Sequence, residues 1–133
     1  MKNTFRKYER LCNKSAIDNL FKKGHLVYCF PLAIRWTLVS MPMEQTPCQV
    51  LLIAPKKLFK RATERNKRKR ILKESFRQQK HPLYTFLNEN EIQMHLAISF
   101  TKEQEITKDQ LDAILESGFD KLIKKIANQI GKQ

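Results

Sequence analysis

Ile92-Gln93-Met94-His95-Leu96-Ala97-Ile98-Ser99-Phe100 alternates without a break. Ile92, Met94, Leu96, Ile98 and Phe100 point one way; Gln93, His95, Ala97 and Ser99 point the other. A period of two marks a strand with one face on a core and one face of mixed character. Pro31 to Ser40 repeats the pattern: Leu32, Ile34, Trp36 and Leu38 alternate with Ala33, Arg35, Thr37 and Val39. That alternation assigns Trp36 to the core face. His25 to Phe30 is β-branched and aromatic enough for a short strand. Gln49 to Ala54 is nearly all apolar, which predicts a strand central in the sheet. Met41 to Pro47, with two prolines, reads as a loop.

Helices fall between and around these strands. Ser15, with Asp18 three residues on, predicts a capped helix over 16–23, closed by a left-handed Gly24. Ala62 to Gln79 is free of glycine and proline, and His81-Pro82 closes it. Thr107 with Gln110 makes a capping box for a last helix. Its stripe of Leu111, Ile114, Leu115, Phe119, Leu122, Ile123, Ile126 and Ile130 has helical spacing. The order is α-β-β-β-α-β-α. The expected fold class is α+β, a two-layer α/β sandwich on a four-stranded sheet. The second and third of these helices cover the apolar face, and the short first helix partly roofs the mixed face. The 133 residues form one domain, long enough to bury about two thirds of the unfolded surface.

Charge is concentrated on one element. Between Lys56 and Lys80 stand twelve basic residues and two acids, Glu64 and Glu74, so this segment holds +10 of the chain's net +13. Two acids cannot neutralise twelve bases, so a self-paired solvated helix does not account for them. A focused positive field of this size calls for a polyanion, and nucleic acid suits it better than a membrane face. On a helical projection Leu72 and Phe76 mark the apolar direction. Asn66, Arg70, Lys73 and Arg77 point away from it, with Lys67 on the other flank. These can track phosphates, giving affinity and register without reading sequence. Arg61, Arg65 and Arg68 fall near the apolar direction. Three guanidiniums cannot all be buried unpaired, so this end of the helix is expected to run past the core or to let its side chains reach the edge.

Other chemistries lack their residues. His25, His81 and His95 have neither metal-ligand spacing nor a paired cysteine. Cys12, Cys29 and Cys48 read as reduced thiols of a cytoplasmic protein. Gly24, Gly118 and Gly131 make no phosphate loop, and no carboxylate cluster suggests a protein-held divalent metal. No secretory signal or membrane span is read. A self-contained catalytic site is not expected. A ribosomal or other structural RNA-binding protein fits the charge as well. A DNA-binding regulator fits less, because strands flank the basic helix where a helix-turn-helix would need a partner helix.

The run Ala54-Pro55-Lys56-Lys57, then Arg61-Ala62, then Glu64-Arg65-Asn66-Lys67-Arg68-Lys69-Arg70-Ile71-Leu72-Lys73-Glu74-Ser75-Phe76-Arg77, resembles the signature of the bacterial ribonuclease P protein component. Phe5, Arg10-Leu11 and Phe21 ahead of Lys23-Gly24 are similar to that family's start. The element order also matches, and the resemblance spans most of the chain. It implies a ribosomal protein S5 domain 2-like fold with a left-handed βαβ crossover. It implies a small basic subunit, monomeric within a ribonucleoprotein, whose partners are ribonuclease P RNA and precursor tRNA. The RNA would hold the catalytic centre for endonucleolytic removal of the tRNA 5′ leader, with Mg²⁺ held mainly by RNA and substrate. Lys56, Lys57, Arg61, Arg65, Asn66, Lys67, Lys69, Arg70 and Lys73 would face the RNA subunit. Arg10, Ile17, Phe21, Tyr28, Arg35, Thr37 and His95 would line a cleft for the single-stranded leader, where backbone charge and stacking tolerate many sequences.

Overall fold

The computed structural model describes residues 5–39 and 45–131. Most of the expected Met41–Pro47 loop lies outside them. A 3-10 turn, Lys7–Glu9, precedes α1 (Lys14–Lys23), β1 (His25–Cys29), β2 (Leu32–Val39) and β3 (Cys48–Ile53). Then come α2 (Ala62–Gln79), α3 (His81–Glu89), β4 (Gln93–Phe100) and α4 (Lys108–Gly131). The strands form one sheet in the order β1-β2-β4-β3. β1–β2 and β2–β4 are antiparallel, whereas β3 runs parallel to β4 across the α2–α3 connection.

The α+β fold, its four-stranded sheet and its two layers are as the alternation predicts. Leu32, Ile34, Trp36, Met94, Leu96, Ile98 and Phe100 are buried on one face, with Leu72, Phe76, Leu111, Leu115, Phe119, Leu122 and Ile126 from α2 and α4 against them. Phe76 sits edge-on to both Tyr84 and Phe119, at 6.3 and 6.0 Å between ring centroids. Thr107 and Gln110 do form the capping box of α4: each backbone N–H donates to the other's side-chain oxygen, at 3.0 and 3.2 Å.

Four details differ from the sequence reading. β3 is an edge strand, not a central one. It is apolar but for Gln49 because both of its faces are covered. Cys48 and Val50 belong to the main core, while Leu51 and Ile53 pack beneath α1. Its free edge is met by the N-terminal segment, where Leu11 N–H donates to the Val50 carbonyl at 2.9 Å. Such cover is how natural sheets shield an open edge. The cap of α1 is Asn13, which accepts from Ala16 N–H, so Ser15 lies inside the first turn. Gly24 is extended (φ −70°, ψ 152°), not left-handed. It is glycine because a Cβ there would lie 2.2 Å from the Leu20 carbonyl oxygen. Finally, His81-Pro82 ends α2 but also starts α3, since proline is tolerated in a first helical turn.

Candidate nucleic-acid interface

The basic segment begins where β3 ends. Leu58 and Phe59 N–H both donate to the Pro55 carbonyl at 3.0 Å, turning the chain sharply, and Phe59 anchors the turn in the core. Arg65 reaches back to the carbonyls of Phe59 and Lys60 at 3.0 and 3.1 Å, tying this turn to the first part of α2. The two acids are consumed locally: Glu64 pairs with Arg68 at 3.2 Å and Glu74 with Arg77 at 2.8 Å. The Arg77 pairing draws the Glu74 carboxyl below its ordinary range. Lys56, Lys57, Lys60, Arg61, Lys67, Lys69 and Arg70 are exposed, as is Asn66. None of these seven cations has an acidic partner among the described residues. Lys73 is half-buried, its ammonium 5.8 Å from the Phe5 ring centroid.

The conflict among the three inward arginines is resolved residue by residue. Arg61 stands exposed at the N-cap position, and Arg65 folds onto the preceding turn. Arg68 is buried, at 5% exposure, yet it is not unpaired. Its guanidinium donates to the carbonyls of Gln104 and Glu103 at 2.7 and 3.2 Å. It also lies 4.9 Å from the Phe59 ring centroid. Arg68 therefore ties α2 to the β4–α4 loop. The helix does not run past the core there.

The other face of the sheet carries α1. Leu11, Leu20 and Ala97 are buried in this second cluster, with Ala16, Ile17, Leu51 and Ile53 packed around them. Ile17 thus holds α1 on the sheet. The register sets the rest in rows. Leu26, Arg35, Ala97 and Leu51 form one; Thr37, His95 and Gln49 form the next. The Arg35 guanidinium lies 5.3 Å from the centroid of Phe21 on α1; Phe21 is exposed and Arg35 half-buried. His95 is half-buried, and this desolvation lowers its pKa, so a neutral imidazole faces the cleft near pH 7. Tyr28 projects from the same face at the β1 edge. Arg10 is exposed on the segment lying along β3, at the opposite edge. The structure thus gathers Phe21, Arg35, Thr37, His95 and Tyr28 on one open face, with Arg10 at its far border.

Two features have no counterpart in the sequence reading. Phe30, at the β1–β2 turn, is 60% exposed. Glu9 is buried and accepts from Lys80 Nζ at 2.7 Å and from the Tyr84 hydroxyl at 2.8 Å. The only sign of this in the sequence is an acid between basic neighbours; its partners lie more than seventy residues away. Lys80 is correspondingly withdrawn from the outward charge. Among the described residues, no group of three histidine, cysteine or acidic side chains could hold a metal ion, and no helix is long and apolar enough to cross a membrane.

The sequence model of the family described as Ribonuclease P matches residues 5–126. Two curated relatives, each named ribonuclease P protein component and drawn from two strains of Porphyromonas gingivalis, are 31% identical over 98 residues. Each match covers 74% of this chain and 71% of the relative. Among solved structures, the Staphylococcus aureus RNase P protein superposes with a TM-score of 0.61 at 19% identity, covering 84% of this chain and 93% of that one.

Proposed function

The chain belongs to the ribonuclease P protein family, and from that premise we propose that it is the non-catalytic, RNA-binding subunit of the complex that trims the 5′ leader of precursor tRNA. The catalytic RNA docks on the exposed side of α2 and the turn before it. The single-stranded leader lies on the open sheet face beside α1. The observation that carries this reading is the separation of the two surfaces. Seven exposed, acid-free cations stand on the helix layer. The opposite face offers an exposed aromatic against a guanidinium.

The chemistry of each surface suits its assigned ligand. Lysine and arginine on a helix bind phosphates without regard to sequence, as docking of a structured RNA requires. The sheet face has Phe21 and Arg35 for base stacking, and small residues such as Ala33 and Ser99 that let a strand approach. A Mg²⁺ ion required for phosphodiester hydrolysis does not fit this interface. Glu64 and Glu74 are already bound to arginines. The reading therefore leaves the ion to RNA and substrate. The protein's part is to position the leader and to screen repulsion between the two RNAs.

The test is reconstitution with a bacterial ribonuclease P RNA. Addition of the protein is expected to restore precursor tRNA cleavage at Mg²⁺ concentrations where the RNA alone is inactive. Cleavage that is the same with and without protein at low Mg²⁺ would overturn the reading.

A further inference from the structure

Exposed aromatics are unevenly placed in this molecule. Trp36, Phe59, Phe76, Tyr84, Phe100 and Phe119 are all buried in the main core. Among the described residues, the large hydrophobics that stand exposed are Tyr8, Phe21, Tyr28 and Phe30, all aromatic. Tyr28 and Phe30 are the most open of these, at 67% and 60%. Scattered exposed apolar residues are ordinary, but these two are separated by Cys29 alone on a single hairpin.

Their surroundings keep them open. The row that contains Tyr28 continues through Ala33 on β2, Ser99 on β4 and Ile53 on β3. Ala33 and Ser99 are too short to cover the tyrosine ring. They floor a shallow trough between Tyr28 and Ile53, and Ile53 is held by the packing beneath α1. The preceding row holds Arg35, set against Phe21. Successive rows on one face lie about 7 Å apart along the strands. The trough therefore runs from the Phe21–Arg35 pair past Tyr28 towards Phe30 at the tip. The tip is pinned, since Thr101 donates to the Pro31 carbonyl through both its N–H (2.8 Å) and its hydroxyl (3.0 Å). At this same end of the sheet, β3 leads through Pro55 into the exposed Lys56 and Lys57.

We infer that Tyr28 and Phe30 form a second base-stacking platform, which takes the leader nucleotides beyond those held at Phe21 and Arg35. Aromatic faces beside a cationic border are the combination that binds single strands without sequence preference. Charge favours a nucleic acid over an apolar protein partner here, because the adjacent row of the same face holds the Arg35 guanidinium. The inference rests on the leader-binding reading proposed above and extends it to the hairpin tip.

The test uses the reconstituted complex with Tyr28→Ala and Phe30→Ala. Three precursors are compared: one with a long leader, one with that leader abasic at its distal positions, and one with the leader truncated near the tRNA. For the long leader, each substitution is expected to weaken binding from several-fold to about a hundredfold. Abasic and truncated precursors should bind variant and wild-type complexes alike. Phe30→Tyr should keep wild-type affinity, because it keeps the ring. Equal losses on all three precursors, or weakened binding to the catalytic RNA alone, would assign these rings to another role and overturn the inference. So would unchanged long-leader affinity in both variants. If instead the wild-type complex gains nothing from any leader, the leader-binding reading itself fails.

Discussion

Glu9 is an acid in a basic segment, buried with Lys80 and Tyr84 at the junction of α2 and α3. Burial pushes the Tyr84 hydroxyl up, so it stays protonated and donates to the carboxylate. Removing one member strands the other charge in the core. Glu9→Gln or Lys80→Met is expected to cost about 3–5 kcal/mol. The double variant, left with no orphaned ion, should cost less than the two singles summed. Urea unfolding of the four proteins measures this, and strict additivity would show that the pair is not coupled. His95 gives a pH-dependent counterpart. Desolvation lowers its pKa in the folded state, so as pH falls past the ordinary value the unfolded chain takes the proton first. Stability is then complete above about pH 6.5 and declines below it, until the folded state also protonates. His81 is shifted the same way. The contribution of His95 is therefore the difference between wild type and His95→Gln in urea midpoints taken above and below that pH. A constant difference would exclude it.

Among the elements, the two long alternating strands and the last helix were legible because each keeps one period over many residues, and the helix at 62–79 because it is built of helix formers with no glycine or proline inside. The place of β3 was not legible. A nearly all-apolar strand signals burial of both faces, and a sheet edge roofed by α1 and flanked by the N-terminal segment meets that condition as well as a central position does. The start of α3 was hidden because proline breaks a helix in its interior but is accepted in its first turn. Helix α4 holds a further test. Gly118 faces β1, and a Cβ there would stand 2.8 Å from Cys29 Sγ and 3.1 Å from Ile34 Cδ1. Alanine gains about 1 kcal/mol of helix propensity over glycine. Overpacking against the sheet costs about 1–3 kcal/mol and should win. Gly118→Ala is expected to lower the melting temperature, and Cys29→Ala in the same chain should recover part of it. Cys29 is suited to this role because it is inert: burial raises its thiol pKa to about 11. A stabilised single variant would mean that α4 can shift away from the sheet at little cost.

At the scale of the whole molecule, the sheet separates a cationic helix side from a mixed face that carries Phe21 and Arg35. The cationic side was legible from charge and the mixed face from alternation, but the membership of each was not. The sequence places twelve cations on one stretch. Only the fold shows that Arg68 and Lys80 are spent on internal bonds and that Arg65 closes the turn before α2. Lys69 and Arg70 remain exposed on the α2 side, while Phe21 and Arg35 meet at α1 on the other. If the two surfaces serve separate ligands, variants on them should act separately. Lys69→Glu with Arg70→Glu should weaken binding to the catalytic RNA alone and flatten its salt dependence. The slope should fall by about 0.7–0.9 log unit for each phosphate that is no longer neutralised. Phe21→Ala with Arg35→Ala should leave that slope unchanged, and should lower only the affinity of the assembled complex for leader-bearing precursor. Sites on opposite faces of a rigid sheet, with no shared partner, are expected to add within about 0.5 kcal/mol. The combined variant, titrated with precursor across a salt series, decides the matter. A deficit well beyond the sum would mean that the docked RNA reaches round the sheet into the leader trough, and the two surfaces would then be one.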